Sequence, residues 1–61
     1  MNQRVAEVIA ERMSRVGKTT YYVVEDVNEG PPPPGNCYYT EELSAYPGCR
    51  LLAEFWKGVR L

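Results

Sequence analysis

The chain has 61 residues, a net charge of −1 and no histidine. A chain this short buries only roughly 60% of the surface that its unfolded form exposes, so we expect one small domain, residues 1–61, of slight stability. With two cysteines and no histidine it cannot build a four-ligand structural zinc site alone, and we expect no metal or cofactor. No apolar run approaches the ~20 residues that span a bilayer, so we expect a soluble protein without a membrane partner.

Charge is distributed unevenly along the chain. Residues 1–18 carry a net charge of +2, residues 19–48 carry −5 without any Lys or Arg, and residues 49–61 carry +2. An acidic middle between mildly basic ends argues against a broad nucleic-acid surface, which would show as one basic face. It fits ion pairing of the ends with the middle, or a basic protein partner.

Residues 3–16 are predicted to form an amphipathic helix. Its apolar side chains fall on one broad stripe at helical spacing, the side that would pack on a sheet. This stripe consists of Val5, Ala6, Val8, Ile9, Met13 and Val16. Asn2 is suited to cap the start of the helix, and Gly17 lies where a left-handed residue would end it. Glu11 precedes Arg15 by four residues, which favours an ion pair on the helix surface.

The Thr, Tyr and Val residues of 19–27 predict the central strand, on which the rest of the fold depends. Residues 36–40 are its natural return strand. If the connection is centred on Gly30, Tyr22 lies opposite Tyr38 and Tyr21 lies opposite Tyr39, which would stabilise the sheet through cross-strand aromatic pairs. An unpaired edge of this sheet could accept a further strand from a second copy or a target.

Four consecutive prolines, residues 31–34, lie between these strands. Proline fixes φ and removes a donor, so we expect an extended polyproline II segment. We interpret it as a stiff connector, and the alternative is a ligand for a groove lined by aromatic rings.

The last third of the chain is predicted to contain a short helix followed by a segment that fits two structures. A short helix is expected at about residues 41–46, since Thr40 can cap it and Pro47 and Gly48 end it. Residues 49–61 fit either a helix or a strand with a turn at Lys57 and Gly58. Both versions make three residues core or interface anchors: Leu51, Phe55 and Trp56. The predicted fold class is therefore α+β, an N-terminal helix packed on a small antiparallel sheet of two or three strands, with a short second helix and an ambiguous C-terminal segment.

The two cysteines, Cys37 and Cys49, are expected to be free and partly buried. Residues 1–4 lead into a charged helix rather than an apolar signal sequence, which predicts a cytoplasmic protein whose thiols stay reduced. A catalytic thiol is not expected, because no histidine is present to activate it.

Catalysis is not expected of this chain. Its adjacent acidic pairs are explained by a strand and a helix start, and a chain of this size has little room for a water-excluding pocket. Tyrosine and tryptophan favour interfaces, because they combine a large rigid surface with a polar tip. The residues expected to bind a partner are Tyr21, Tyr22, Glu25, Tyr38, Tyr39 and Trp56.

Three hypotheses follow for the function. The first is a small non-enzymatic protein-interaction module, a regulator or inhibitor that binds a protein partner or itself as a homodimer. The second is a nucleic-acid-binding regulator that uses the basic residues of the two chain ends. These residues are Arg4, Arg15, Lys18, Arg50, Lys57 and Arg60. The third is an accessory subunit of a larger enzyme.

Overall fold

The computed structural model describes residues 1–26 and 36–61. It confirms the α+β class: one helix packs on a four-stranded antiparallel sheet of order β2-β1-β3-β4. The elements are α1 (Gln3–Gly17), β1 (Tyr21–Glu25), β2 (Cys37–Thr40), a 3₁₀ turn (Leu43–Ala45), β3 (Arg50–Trp56) and β4 (Val59–Arg60). The sheet exceeds the predicted two or three strands because the C-terminal segment forms two strands.

Only the N-terminal end of α1 is capped as predicted. The side chain of Asn2 accepts a hydrogen bond from the Val5 N–H at 2.9 Å, which confirms it as the N-cap. The left-handed residue at the other end is Lys18, with φ of 58°, rather than Gly17. The predicted surface ion pair between Glu11 and Arg15 is present at 3.1 Å.

The packing side of α1 differs from the predicted apolar stripe. The fully buried helix residues are Ala6, Ala10 and Ser14, spaced four residues apart. Val16, by contrast, is 80% exposed, and Val5, Val8 and Met13 are also exposed. Small side chains at this spacing let the helix backbone lie close to the sheet, and the larger side chains then stay at the flanks.

The central strand β1 is shorter than predicted, Tyr21–Glu25 rather than residues 19–27, of which residue 27 is not among those described. Its pairing with β2 places Tyr22 opposite Thr40 and Val24 opposite Tyr38. The predicted register is thus wrong by two residues. A shift by an even number of residues leaves Tyr22 and Tyr38 on the same face of the sheet, as the predicted pairing did, so the aromatic pairs change while the faces do not. The hypotheses on residues 31–34 lie outside the described residues.

The predicted second helix is reduced to the single 3₁₀ turn. The Glu42 N–H donates to the Thr40 hydroxyl at 3.0 Å, and the Ala45 N–H donates to the Glu42 carbonyl at 3.1 Å. Pro47 and Gly48 follow within two to three residues, too soon for a full helix to form. The ring of Tyr46 then stacks on that of Tyr38 with centroids 5.6 Å apart, so this connection passes over the sheet face opposite α1.

The C-terminal segment adopts the strand alternative. Lys57 and Gly58 both have positive φ, 53° and 79°, as the two central residues of a type I′ turn require. This turn is attached to the helix, because the Gly58 N–H donates to the Ser14 hydroxyl oxygen at 2.9 Å. Ser14 in turn donates to the Glu11 carbonyl at 2.8 Å, which satisfies its buried hydroxyl.

The core lies between α1 and one face of the sheet. It consists of Ala6, Ala10, Tyr21, Val23, Cys37, Ala53 and Phe55, with Tyr39 and Leu52 packed against it. A register shift in the β1–β3 pairing at Val23 and Val24 leaves Leu52 as the extra residue of a bulge. No helix among residues 1–26 and 36–61 is long and apolar enough to cross a membrane.

Candidate protein-interaction surface

The two faces of the sheet have different surroundings. Because side chains alternate along a strand, Tyr21 and Val23 point towards α1, and Tyr22 and Val24 point away from it. Paired residues of antiparallel strands share a face, which extends this second side across β3 and β4. The connection of residues 41–49, which contains the 3₁₀ turn, covers part of this side. We call the uncovered part the open face. It is formed by Tyr22, Leu51, Glu54, Trp56, Val59 and Leu61.

The open face is mostly apolar and solvent-exposed. Leu51 is 42% exposed, Trp56 38%, Val59 61% and Leu61 69%. The pairing of Trp56 with Val59, and the bond from the Leu61 N–H to the Glu54 carbonyl at 2.9 Å, bring these side chains from two strands together. Exposed apolar side chains gathered in one patch mark a contact surface more often than scattered ones do.

Two charged residues lie on or beside this patch. Glu54 is half-buried among the apolar side chains, and within the described part of the chain it takes part in no ion pair. The Lys57 ammonium lies 5.3 Å from the centroid of the Trp56 ring, over the open face. A cation over an aromatic ring is attracted by the negative charge of the ring face, so Lys57 is held at the edge of the patch.

The structure places the six predicted partner-binding residues on different sides of the sheet. Tyr22, Tyr38 and Trp56 point to the side away from α1, and the Tyr38 ring is partly covered by Tyr46. The remaining three residues, Tyr21, Glu25 and Tyr39, do not join them.

Each of these three has an intramolecular role. Tyr21 is buried in the core and its hydroxyl donates to a Glu41 carboxylate oxygen at 3.4 Å. Tyr39 packs against the same core, and Glu25 forms an ion pair with Arg50. Whether any of the six contacts a partner stays a prediction.

Sequence reasoning did not assign Glu54, Val59 or Leu61 to a contact surface. The signal was present in the Lys57-Gly58 pair, because a two-residue turn places Val59 directly opposite Trp56. Because residues 49–61 fit both a helix and a strand, the position of Val59 opposite Trp56 could not be predicted from the sequence.

A groove of about 540 Å³ lies on the other side of the molecule, between α1 and the β3–β4 hairpin. Four charged residues line it: Glu7 and Arg60 pair with each other, Glu11 pairs with Arg15 beside the groove, and Arg4 takes part in no ion pair with residues 1–26 or 36–61. Arg60 bonds to Glu7 at 3.1 Å, and Glu11 bonds to Arg15 at 3.1 Å. These pairs join the hairpin to the helix and strengthen the helix itself, so the groove offers few uncommitted groups for chemistry.

Both cysteine thiols are free. Burial raises the pKa of Cys37 above its ordinary value of 9.0, with the Glu25 carboxylate adding to the effect. Burial, and then the Asp26 carboxylate, raise the pKa of Cys49 as well. A higher thiol pKa leaves less thiolate, the nucleophilic form, near neutral pH. Within residues 1–26 and 36–61, no cluster of three or more Cys, Asp or Glu side chains could hold a metal ion.

No protein-family model matches this chain, and no curated protein or solved structure is significantly similar to it.

Proposed function

We propose that this chain is a non-enzymatic protein-interaction module, a regulator or inhibitor that acts by contact through the open face. The observation that supports this most is the difference in cover between the two sheet faces. On one side α1 buries the core residues of the sheet, while the other side leaves the only tryptophan and three aliphatic residues in contact with solvent. Tryptophan is among the residues whose burial contributes most to binding at protein interfaces.

The chemistry of the polar groups favours contact over catalysis. The thiols have raised pKa values. Three carboxylates form ion pairs: those of Glu7 and Glu25 join elements of the fold, and that of Glu11 pairs within α1. An accessory subunit of an enzyme could use the same open face, and co-purification with an enzymatic activity would distinguish that role.

Nucleic-acid binding is the less favoured function. Three of the six basic residues expected to contact phosphates, Arg15, Arg50 and Arg60, bond to carboxylates of the same chain. Each such pair would have to break or be shared before a phosphate could be neutralised. A mobility shift with random DNA and RNA at ~50 mM salt tests this alternative, and binding there that weakens steeply with added salt would favour it.

A cytoplasmic location is part of the proposal. The two free thiols, one of them in the core, suit a compartment in which cysteines stay reduced.

The test compares variants of two exposed apolar residues. Trp56→Glu places a charge on the open face, and Val16→Glu places the same charge on an 80%-exposed position of α1. We expect the wild type and Val16→Glu to associate with the same protein, measured by capture from a lysate of the source organism and by sedimentation of the purified chain. Trp56→Glu should lose that association, because a carboxylate in a buried interface carries a large desolvation cost.

Circular dichroism checks that each variant is folded. Leu61→Glu, at the end of the chain, repeats the test at a position with little part in the core. A wild-type chain that associates with no protein, itself included, or an association unaffected by both open-face variants, would show the proposal to be wrong.

A further inference from the structure

We infer that the open face is an interface between two copies of this chain, in which Glu54 of each copy pairs with Lys57 of the other. The inference rests on the proposed function and names the partner of that surface as a second copy. It follows from the charges on the open face, their spacing along β3, and the area that the patch can bury.

One carboxylate, that of Glu54, lies within the patch. Glu54 is half-buried between apolar neighbours and, in the part of the chain that the structure describes, has no cationic partner. A purely apolar partner would desolvate this charge without compensation, which opposes binding. A partner that presents a cation at the same place would compensate this cost.

The chain itself supplies such a cation. Lys57 is exposed, leans over the Trp56 ring on the same face, and has no carboxylate partner among residues 1–26 and 36–61. The patch is thus self-complementary, with one anion inside it and one cation at its edge.

The spacing of these charges suits a two-fold axis. An axis that lies in the interface and crosses β3 at a right angle near Trp56 reverses the strand, so that Glu54 of each copy meets Lys57 of the other. The two residues are three positions apart, about 10 Å at ~3.3 Å per residue, and this separation is the same in both copies, so both ion pairs form together. Trp56 then lies near the centre of the interface, where residues that dominate binding are usually found.

The area is sufficient for a weak dimer. The exposed parts of the apolar side chains amount to roughly 400 Å² per copy, and with the flanking polar side chains two copies would bury about 1,000 Å², the lower limit for specific interfaces. With a net charge of only −1 per chain, two copies repel one another little. We therefore expect a dissociation constant in the micromolar range.

Pairing through the β2 edge of the sheet is a poorer route to a dimer. The Cys37 N–H, on the edge strand β2, donates to the Met1 carbonyl at 2.9 Å, and the Met1 amino group donates to the Cys37 carbonyl at 3.4 Å. The backbone of Met1 thus occupies hydrogen-bonding groups that an added strand would need.

Charge reversal at the two positions tests the inference. Sedimentation velocity from ~5 to ~500 μM should show the wild-type dimer at the micromolar dissociation constant expected for its small area. Glu54→Lys or Lys57→Glu alone should raise that constant about tenfold, because the two-fold axis sets like charges together at two places. The double variant, with the charges exchanged, should return to within about threefold of the wild type.

Two variants outside the open face are matched controls. Glu42→Lys makes the same charge change at an exposed position of the connection. Lys18→Glu matches Lys57→Glu in backbone as well, since Lys18 also has a positive φ, 58° against 53°. Both controls should leave the dissociation constant unchanged, and circular dichroism confirms that all variants are folded.

The possible results separate this inference from the proposed function. A wild-type dimer that ignores the charge reversals, or a monomer that captures another protein through Trp56, overturns the two-copy arrangement and leaves the interaction module standing. A wild-type monomer that captures nothing overturns both.

Discussion

The two faces of this sheet are built from the same strands, yet they differ in what covers them. Towards α1, Val23 and Phe55 are closed off by a helix whose contact residues are Ala6 and Ala10. On the other side Val24 is buried and the Tyr46 ring of the short connection covers part of Tyr38, whereas Trp56 is left 38% exposed. Burial therefore changes from one residue to the next along β3.

The two faces therefore contribute differently to folding and to binding. With about 0.05–0.15 kcal/mol of stability per residue, a chain of this size has a net stability of about 3–9 kcal/mol, and the covered face must supply most of it. The open face contributes less to folding, and its apolar side chains are free to bind. Neighbouring substitutions on opposite faces should consequently affect different properties.

The largest expected difference is between Phe55→Ala and Trp56→Ala. Phe55 is 5% exposed and truncating it should lower the free energy of unfolding by about 3–5 kcal/mol, enough to unfold much of the protein. Trp56→Ala should lower the free energy of unfolding by less than half as much, and should instead abolish association with the partner. Urea unfolding followed by circular dichroism measures the first effect and sedimentation the second. Equal losses of stability would mean that the two faces are equally important to the fold.

The helix and the central strand were predictable from the sequence, because their residues follow patterns typical of each. The helix was evident from its 3.6-residue period and the Asn2 cap, and the central strand from its Thr, Tyr and Val content. The C-terminal segment was ambiguous because its apolar residues fit both periods. Pairing of β3 with β1 decides between them, and that is a long-range contact that no local pattern contains.

The contact surfaces were harder to predict for a related reason. Hydrophobicity indicated that the valines of α1 would pack on the sheet, but the distance between helix and sheet favours Ala10 and Ser14 there instead. Strand alternation already separates Tyr21 from Tyr22 in the sequence, but it does not say which of the two faces the helix covers. Which face is covered depends on the path of residues 41–49, which follows from tertiary packing.

The close approach of α1 to the sheet leads to the second prediction. Ala10→Leu adds three carbons where the helix meets the core, and should lower the free energy of unfolding by about 1–3 kcal/mol through overpacking. Val16→Leu, on the exposed flank of the same helix, should change it by no more than about 0.5 kcal/mol. Thermal and urea unfolding of the two variants provide the comparison. If Ala10→Leu stabilised the protein, the helix would have to lie farther from the sheet than described.

The smallest effect concerns the pH dependence of the covered face. Burial, together with the Glu41 carboxylate that accepts its hydrogen bond, raises the pKa of the Tyr21 hydroxyl above its ordinary value of 10.0. The unfolded chain then loses this proton at a lower pH than the folded one, so the contribution of Tyr21 to stability is complete below about pH 10 and is lost as the pH rises further.

Comparison of unfolding free energies between pH 8 and 11 isolates this contribution. Tyr21→Phe should show a smaller alkaline loss of stability than the wild type, because it lacks the hydroxyl whose pKa is raised in the folded protein. Glu41→Gln should reduce the loss in part, since it removes the charge that opposes ionisation of Tyr21, whereas Glu42→Gln, next to it and exposed, should not. An alkaline slope that is the same in Tyr21→Phe as in the wild type would mean that the Tyr21 hydroxyl is no less able to ionise in the folded protein than in the unfolded chain.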